Sequence, residues 1–181
     1  MLLLNREETI RQCYQVPGQT WPVELDWLYD NISKSKCHAE IGTYCGRSLL
    51  ASCGNMAADA FVLSIDDRSE WTNPNWVEAV QQATISLMAQ SVRTVNAHSI
   101  NALRSTQDSG IILDSVFIDG CHEYAECKAD ILGWITQVKP GGLICGHDYW
   151  PAHIGVMDAV NEVFNGRHSV VSGTRLWFYR L

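Results

Sequence analysis

An α/β domain, a parallel sheet closed by an antiparallel hairpin, is the fold class this sequence predicts, and two observations predict it. Between Cys37 and Phe164, short apolar runs alternate with segments of helical periodicity, the pattern of parallel strands joined by crossover helices. Beyond them, two apolar runs at 168–171 and 176–179 are separated only by 172–175. No crossover fits in so short a link, so these runs must pair as a hairpin. At 181 residues the chain suits one domain spanning 1–181, with a helical segment over 1–35 ahead of a core over 36–181.

The elements follow in order. Leu25, Leu28, Tyr29 and Ile32 recur at helical spacing and predict an amphipathic helix over 22–33. The first strand is 37–41, ended by Gly42, with a helix from 46 to 53. A second strand over 61–65 is closed by Asp66 and Asp67, and a helix over 75–91 carries Val77, Val80, Ala83, Ile85 and Leu87. The third strand is 92–95, a short helix spans 100–107, and the fourth strand, 115–118, stops at Asp119 and Gly120. A helix over 124–138 is expected to end in the turn Lys139-Pro140-Gly141-Gly142 before a fifth strand over 143–145. The last helix is 155–164.

Composition narrows the function classes. The chain is 46% apolar and 18% charged, which is globular rather than disordered. A net charge of −7 argues against nonspecific binding to nucleic acid, whose phosphates need a basic surface. The opening MLLLNREETIRQ turns charged after its leucines, and no stretch approaches the roughly 20 apolar residues that cross a membrane. A cytoplasmic protein without leader or membrane span is expected. The seven cysteines form no C-x-x-C pair, and Cys37, Cys45 and Cys145 sit in apolar segments. They read as buried thiols in a reducing compartment, not as a zinc site.

Four constellations carry chemistry. Glu40-Ile41-Gly42-Thr43-Tyr44-Cys45-Gly46-Arg47-Ser48 falls between a strand and a helix. Its glycines let the backbone approach a ligand, and the acid before the turn suits an ammonium group rather than a pyrophosphate. The dinucleotide spacing G-x-G-x-x-G is absent, and an ordinary tight turn would read similarly. Asp66, twenty residues beyond Gly46, ends the next strand, where a carboxylate can accept from both ribose hydroxyls of an adenosine ligand; Asp67 takes that place if the strand runs one residue longer.

Third, Ala97-His98-Ser99 follows the third strand. Ser99 there either reaches an adenine edge or caps the helix behind it. Fourth, Phe117-Ile118-Asp119-Gly120-Cys121-His122 and Gly146-His147-Asp148-Tyr149 each end a parallel strand, so Asp119, His147 and Asp148 should face one crevice. Two carboxylates and an imidazole can hold a divalent cation, or pair as aspartate–histidine hydrogen bonds without one.

Together these segments resemble the class I S-adenosylmethionine-dependent methyltransferases, and within them the small-molecule O-methyltransferases related to catechol and macrolide-sugar methyltransferases. The resemblance is carried by AEIGTYCGRSLL, VLSIDD, VFIDGCHEYAECKADILGWITQVKPGGLICGHDYW and GVMDAVNEVF, over most of 37–164, with SGTRLWFY matching the family's closing strands. It implies a Rossmann-like three-layer αβα sandwich with a seven-stranded sheet in the order 3214576, strand seven antiparallel. It further implies that Glu40, Gly42, Thr43, Gly46 and Ser48 line the methionine side of S-adenosylmethionine, that Asp66 takes the ribose, that His98 and Ser99 lie by the adenine, and that Asp119 sits near the sulfonium.

In the metal-dependent members, acids at the ends of strands four and five hold magnesium. Asp119, His147 and Asp148 occupy those positions here, and His147 departs from the acid or amide usual there. A lysine three residues after the strand-four acid assists deprotonation in the catechol-type enzymes, and this chain has His122, a competent base at neutral pH. His122 can alternatively cap the helix at Tyr124 or pair with Asp119.

The expected activity is O-methylation of a small molecule (a sugar, a catechol-like ring or a hydroxy acid), assisted by magnesium or another divalent cation. The alternatives are a metal-independent N- or carboxyl-methyltransferase and a silent adenosyl-binding module. Trp71, Trp76, Tyr149 and Trp150 fall near the loops expected around the acceptor, as pocket walls or as ordinary packing. The short segment before Pro22 leaves the acceptor pocket open or completed by a second subunit in a homodimer.

Overall fold

The computed structural model describes residues 5–181; Met1 to Leu4, which hold the leucines of the opening stretch, lie outside them. Five parallel strands, β1 (Cys37–Ile41), β2 (Phe61–Asp66), β3 (Ser91–Asn96), β4 (Leu113–Ile118) and β5 (Val138–Gly146), are followed by β6 (Ser169–Val170) and β7 (Trp177–Arg180). The sheet order is β3-β2-β1-β4-β5-β7-β6, with β7 antiparallel to both neighbours. That is the order 3214576 expected from the resemblance.

Helices cover both faces. Ala39, Ile41, Leu63, Ile65, Val116, Ile118 and Ile144 point to one side. There they pack against α5 (Ser99–Asp108), α6 (Tyr124–Trp134) and α7 (Ile154–Phe164), through Leu103, Ile131, Trp134, Val160 and Phe164. The alternate residues Val62, Phe117, Leu143 and Cys145 face α1 (Arg6–Cys13), α2 (Pro22–Ile32), α3 (Arg47–Cys53) and α4 (Pro74–Ile85), through Cys13, Leu25, Leu28, Leu49 and Val77. A parallel sheet buried on both faces explains why its strands read as near-continuous apolar runs.

Three expected boundaries are corrected. The 75–91 helix ends at Ile85, because Ser91 is needed in β3 opposite Phe61 and the chain must turn at Leu87 and Met88 to reach it. The 124–138 helix stops at Trp134. A 3-10 turn, Ile135–Gln137, leads into β5, where Val138 already pairs with Leu113. Lys139-Pro140-Gly141-Gly142 is therefore an irregularity inside β5 rather than a helix stop, and the register shifts there between Leu113 and Ser115. The first hairpin strand is shorter than expected, at 169–170, and the second lies one residue later, at 177–180.

Cys45 and Cys145 are buried as expected and Cys37 is half-buried; all seven thiols are free. No helix among the described residues is long and apolar enough to cross a membrane.

Candidate active-site cleft

The carboxyl ends of β1, β2, β4 and β5 open on a cavity of about 810 Å³, a size that suits a cofactor with part of its substrate. Gly42 makes the geometry possible. Its φ is +83°, and a Cβ there would lie 2.0 Å from the Asp119 carbonyl oxygen, so β1 and β4 can end this close together only with glycine. Gly46, at φ +90°, then turns the chain into α3.

Glu40 lies beneath this loop, fully buried, and is not among the residues that line the cavity. The Ser48 hydroxyl donates to its Oε1 at 3.0 Å, while Oε2 has no partner. Burial, aided by the nearby charges of Asp119 and Asp66, raises its pKa well above the usual carboxylate range. Gly42, Thr43 and Ser48 line the cavity.

Asp66 ends β2 and lines the cleft, but its oxygens are engaged. Tyr44 N donates to Oδ2 at 2.6 Å and the Trp71 indole donates to Oδ1 at 2.7 Å. Trp71 also packs on Tyr44, with ring centroids 4.4 Å apart, so this tryptophan sits over the expected ribose carboxylate rather than on an acceptor wall. Asp67 also lines the cleft and caps a short turn through Ser69. Trp76 and Trp150 are largely exposed and, with Tyr149, stand outside the cavity lining.

His98 and Ser99 line the far end. His98 is the N-cap of α5 and lies 3.1 Å from Glu126. Ser99 does not cap the helix; its hydroxyl accepts from the Trp134 indole at 2.8 Å. Beside it Asp130, which the sequence reading missed, is buried, and that burial pushes its pKa up to about 6.

Asp119, His147 and Asp148 do come together. His147 Nδ1 lies 3.5 Å from Asp119 Oδ1 and 3.3 Å from Asp148 Oδ1. Its Nε2 lies 3.0 Å from Oε2 of Glu24, a fully buried acid on α2 that was also missed. Although burial disfavours charge, Asp119, Asp148 and Glu24 push the His147 pKa up to about 12. Asp148 stands in a left-handed backbone conformation, φ +59°, a strain that surrounding contacts must hold. Against the cost of burial, His122 and His147 keep it well below the usual carboxylate range. His122 pairs with Asp148 Oδ2 at 2.8 Å, not with Asp119, and Glu123 rather than His122 is the N-cap of α6. The His153 ring packs against His122, with centroids 4.0 Å apart and the planes tilted by 39°.

The donor set fits a divalent ion. One atom each from Asp119, His147 and Asp148 lies within 4.8 Å of the others. Glu24, by accepting from Nε2, leaves Nδ1 facing the two carboxylates, the carboxylate–imidazole arrangement that orients metal-binding histidines. Signals for the missed residues were partial: Glu24 stands one turn before Leu28 on the apolar face of its helix, whereas nothing local marks its contact with His147.

A family model described as a methyltransferase domain matches residues 39–149 of the chain. No curated protein sequence matches it. Among solved structures, the Bacillus cereus O-methyltransferase in complex with S-adenosylhomocysteine has a TM-score of 0.70 at 18% identity, covering 98% of this chain and 91% of its own. The O-methyltransferase TomG from Streptomyces achromogenes, in complex with S-adenosylmethionine, has a TM-score of 0.71 at 15% identity, covering 98% and 90%. The S-adenosylhomocysteine-bound Podospora anserina methyltransferase has a TM-score of 0.71 at 13% identity, covering 96% and 86%. At these identities the likeness is one of fold.

Proposed function

The chain belongs to this methyltransferase-domain family, and on that premise we propose that it moves a methyl group from S-adenosylmethionine to an oxygen of a small molecule, assisted by a divalent cation. The observation that carries the proposal is the convergence of Asp119, His122, His147 and Asp148 at the side of a cleft whose other wall is the Gly42 loop and Asp66.

The residues divide the work. Thr43 and Ser48 hold the methionine end, with the buried Glu40 fixing the Ser48 hydroxyl from behind, Asp66 takes the ribose, and His98 and Ser99 border the adenine. When bound, the donor supplies an electrophilic methyl group on a sulfonium. Magnesium or another divalent ion held by Asp119, His147 and Asp148 would stabilise negative charge on the acceptor oxygen. His122 takes the hydroxyl proton, the C–O bond forms as the S–CH₃ bond breaks, and S-adenosylhomocysteine remains. Fixing the acceptor in line with that bond supplies much of the rate. Acceptors presenting two adjacent oxygens (a catechol, a vicinal sugar diol, a hydroxy acid) suit the carboxylate-lined corner.

A metal-independent N- or carboxyl-methyltransferase is the second reading. It is favoured by His147, whose own proton already neutralises charge among Glu24, Asp119 and Asp148. Replacing Asp148 by alanine separates the two. Loss of metal-stimulated turnover with retained S-adenosylhomocysteine binding supports the first; turnover indifferent to both chelator and substitution supports the second. Donor binding without turnover on any acceptor would reject both and leave a binding module.

A further inference from the structure

We propose that Arg47 receives the carboxylate of the methyl donor and thereby sets which way round the donor lies. This rests on the reading of the cleft as an adenosyl site. The cavity lining is acidic along its length, from Asp66 and Asp67 through Asp119 to Asp130 and Asp148. Among the described residues it contains one arginine, Arg47, and no lysine. Its histidines lie elsewhere, His98 beside Glu126 and the pair His122 and His147 on Asp148. A ligand carrying an ammonium, a sulfonium and one carboxylate finds acids for its cations almost anywhere here. Because the His147 imidazole is already enclosed by Glu24, Asp119 and Asp148, the ligand's anion is drawn to Arg47.

Arg47 is also fixed before any ligand arrives. It opens α3 beside Ser48, at the end of the cleft where Glu40 lies buried. Its Nε donates to the Val16 carbonyl at 2.7 Å and its Nη1 to the Thr20 carbonyl at 3.5 Å. Gly18 lies so close that an added Cβ would be 3.0 Å from Arg47 Cβ and 3.1 Å from Nε. The segment 17–20 thus lies across the arginine and itself lines the cavity, while Nη2 makes no hydrogen bond among the described residues. A guanidinium held on two edges by carbonyls, with one amino group left over, is a preorganised carboxylate receptor.

The test compares S-adenosylhomocysteine with S-adenosyl-3-thiopropylamine, which keeps the nucleoside, thioether and amine but lacks the carboxylate, by calorimetry on the wild-type chain, Arg47→Gln and Arg47→Lys. Arg47→Gln is expected to weaken S-adenosylhomocysteine about 10- to 100-fold, as losing a charge-assisted hydrogen bond does. It should leave the amine within about twofold, so that discrimination between the two ligands collapses. Arg47→Lys, which keeps the charge but cannot bridge Val16 and Thr20, should retain more of that discrimination. Equal weakening of both ligands, or equal loss of discrimination in both variants, would mean that Arg47 serves only to hold segment 17–20, and would overturn the proposal. Failure of the wild-type chain to bind either ligand would instead remove the adenosyl reading beneath it.

Discussion

Glu24 and His147, 123 residues apart in sequence, meet as a buried pair, Glu24 Oε2 standing 3.0 Å from His147 Nε2. The same carboxylate accepts from Trp21 N at 2.7 Å and from Arg175 N at 2.9 Å, so it ties α2 to the end of β5 and to the hairpin loop. Removing one partner of a buried ion pair strands the other charge. Glu24→Ala should therefore cost about 3–5 kcal/mol of stability in urea denaturation, and Glu24→Gln, which keeps an acceptor, distinctly less. Equal, small losses in both would show that the imidazole is neutral.

Trp71 holds Asp66 Oδ1 at 2.7 Å, where a ribose hydroxyl would bind. A ribose hydroxyl on that oxygen displaces the indole, and breaking its hydrogen bond then opposes binding by about 1.5–3 kcal/mol, the worth of a bond to a charged group. Trp71→Phe should therefore bind S-adenosylhomocysteine about 10- to 100-fold more tightly, and in the wild-type chain tryptophan fluorescence should change as ligand is added. Weaker binding in Trp71→Phe would mean that the indole stays and packs on the ligand.

The hydrogen bond from His122 to Asp148 raises the imidazole pKa, with Asp119 adding to it. A base works only when unprotonated, so turnover should rise with pH through a midpoint above 6.5, the ordinary histidine value. Asp148→Asn should move that midpoint downward. His122→Gln should lose about 10²–10⁴ in kcat, the usual worth of a general base, with S-adenosylhomocysteine affinity retained. A pH profile unaltered in Asp148→Asn would deny His122 the proton.

His38, fully buried on β1 with Nδ1 2.8 Å from the Ser115 hydroxyl, is held by burial at a pKa of about 4. Between the unfolded value near 6.5 and this one, the unfolded chain binds a proton the native chain refuses. Stability from His38 is thus complete above pH 6.5 and falls by about 3 kcal/mol as the pH drops to 4. Asp130 and Glu40, whose pKa values are raised, act in the opposite sense. The readout is therefore the difference between wild-type and His38→Gln stability profiles. Parallel profiles would contradict the assignment.

The strands and the acids at their carboxyl ends were legible because local chemistry dictates them. A run such as Val116-Phe117-Ile118 has to be buried, and the acid that follows it has to emerge at the sheet edge, which places Asp66, Asp119 and Asp148 without knowledge of the fold. The helix end at Ile85 was hidden because Leu87 continues the apolar period into a turn, and the β5 irregularity because Pro140-Gly141-Gly142 has the composition of a stop. Asp66 was placed correctly at its strand end but not its partner Trp71, and Arg47 stood in the glycine loop without any sign that Val16 and Thr20 would seat it. Those relationships depend on which loops the packed sheet brings together, and no periodicity encodes them.

The account depends most on the cleft being an adenosyl site with Asp66 at the sugar. Calorimetric titration of S-adenosylhomocysteine into the wild-type chain and Asp66→Ala tests this most directly. Saturable one-to-one binding, weakened at least about tenfold by losing hydrogen bonds to a charged acceptor, is the expected result. Absence of binding heat, or an affinity that Asp66→Ala leaves unchanged, would contradict it.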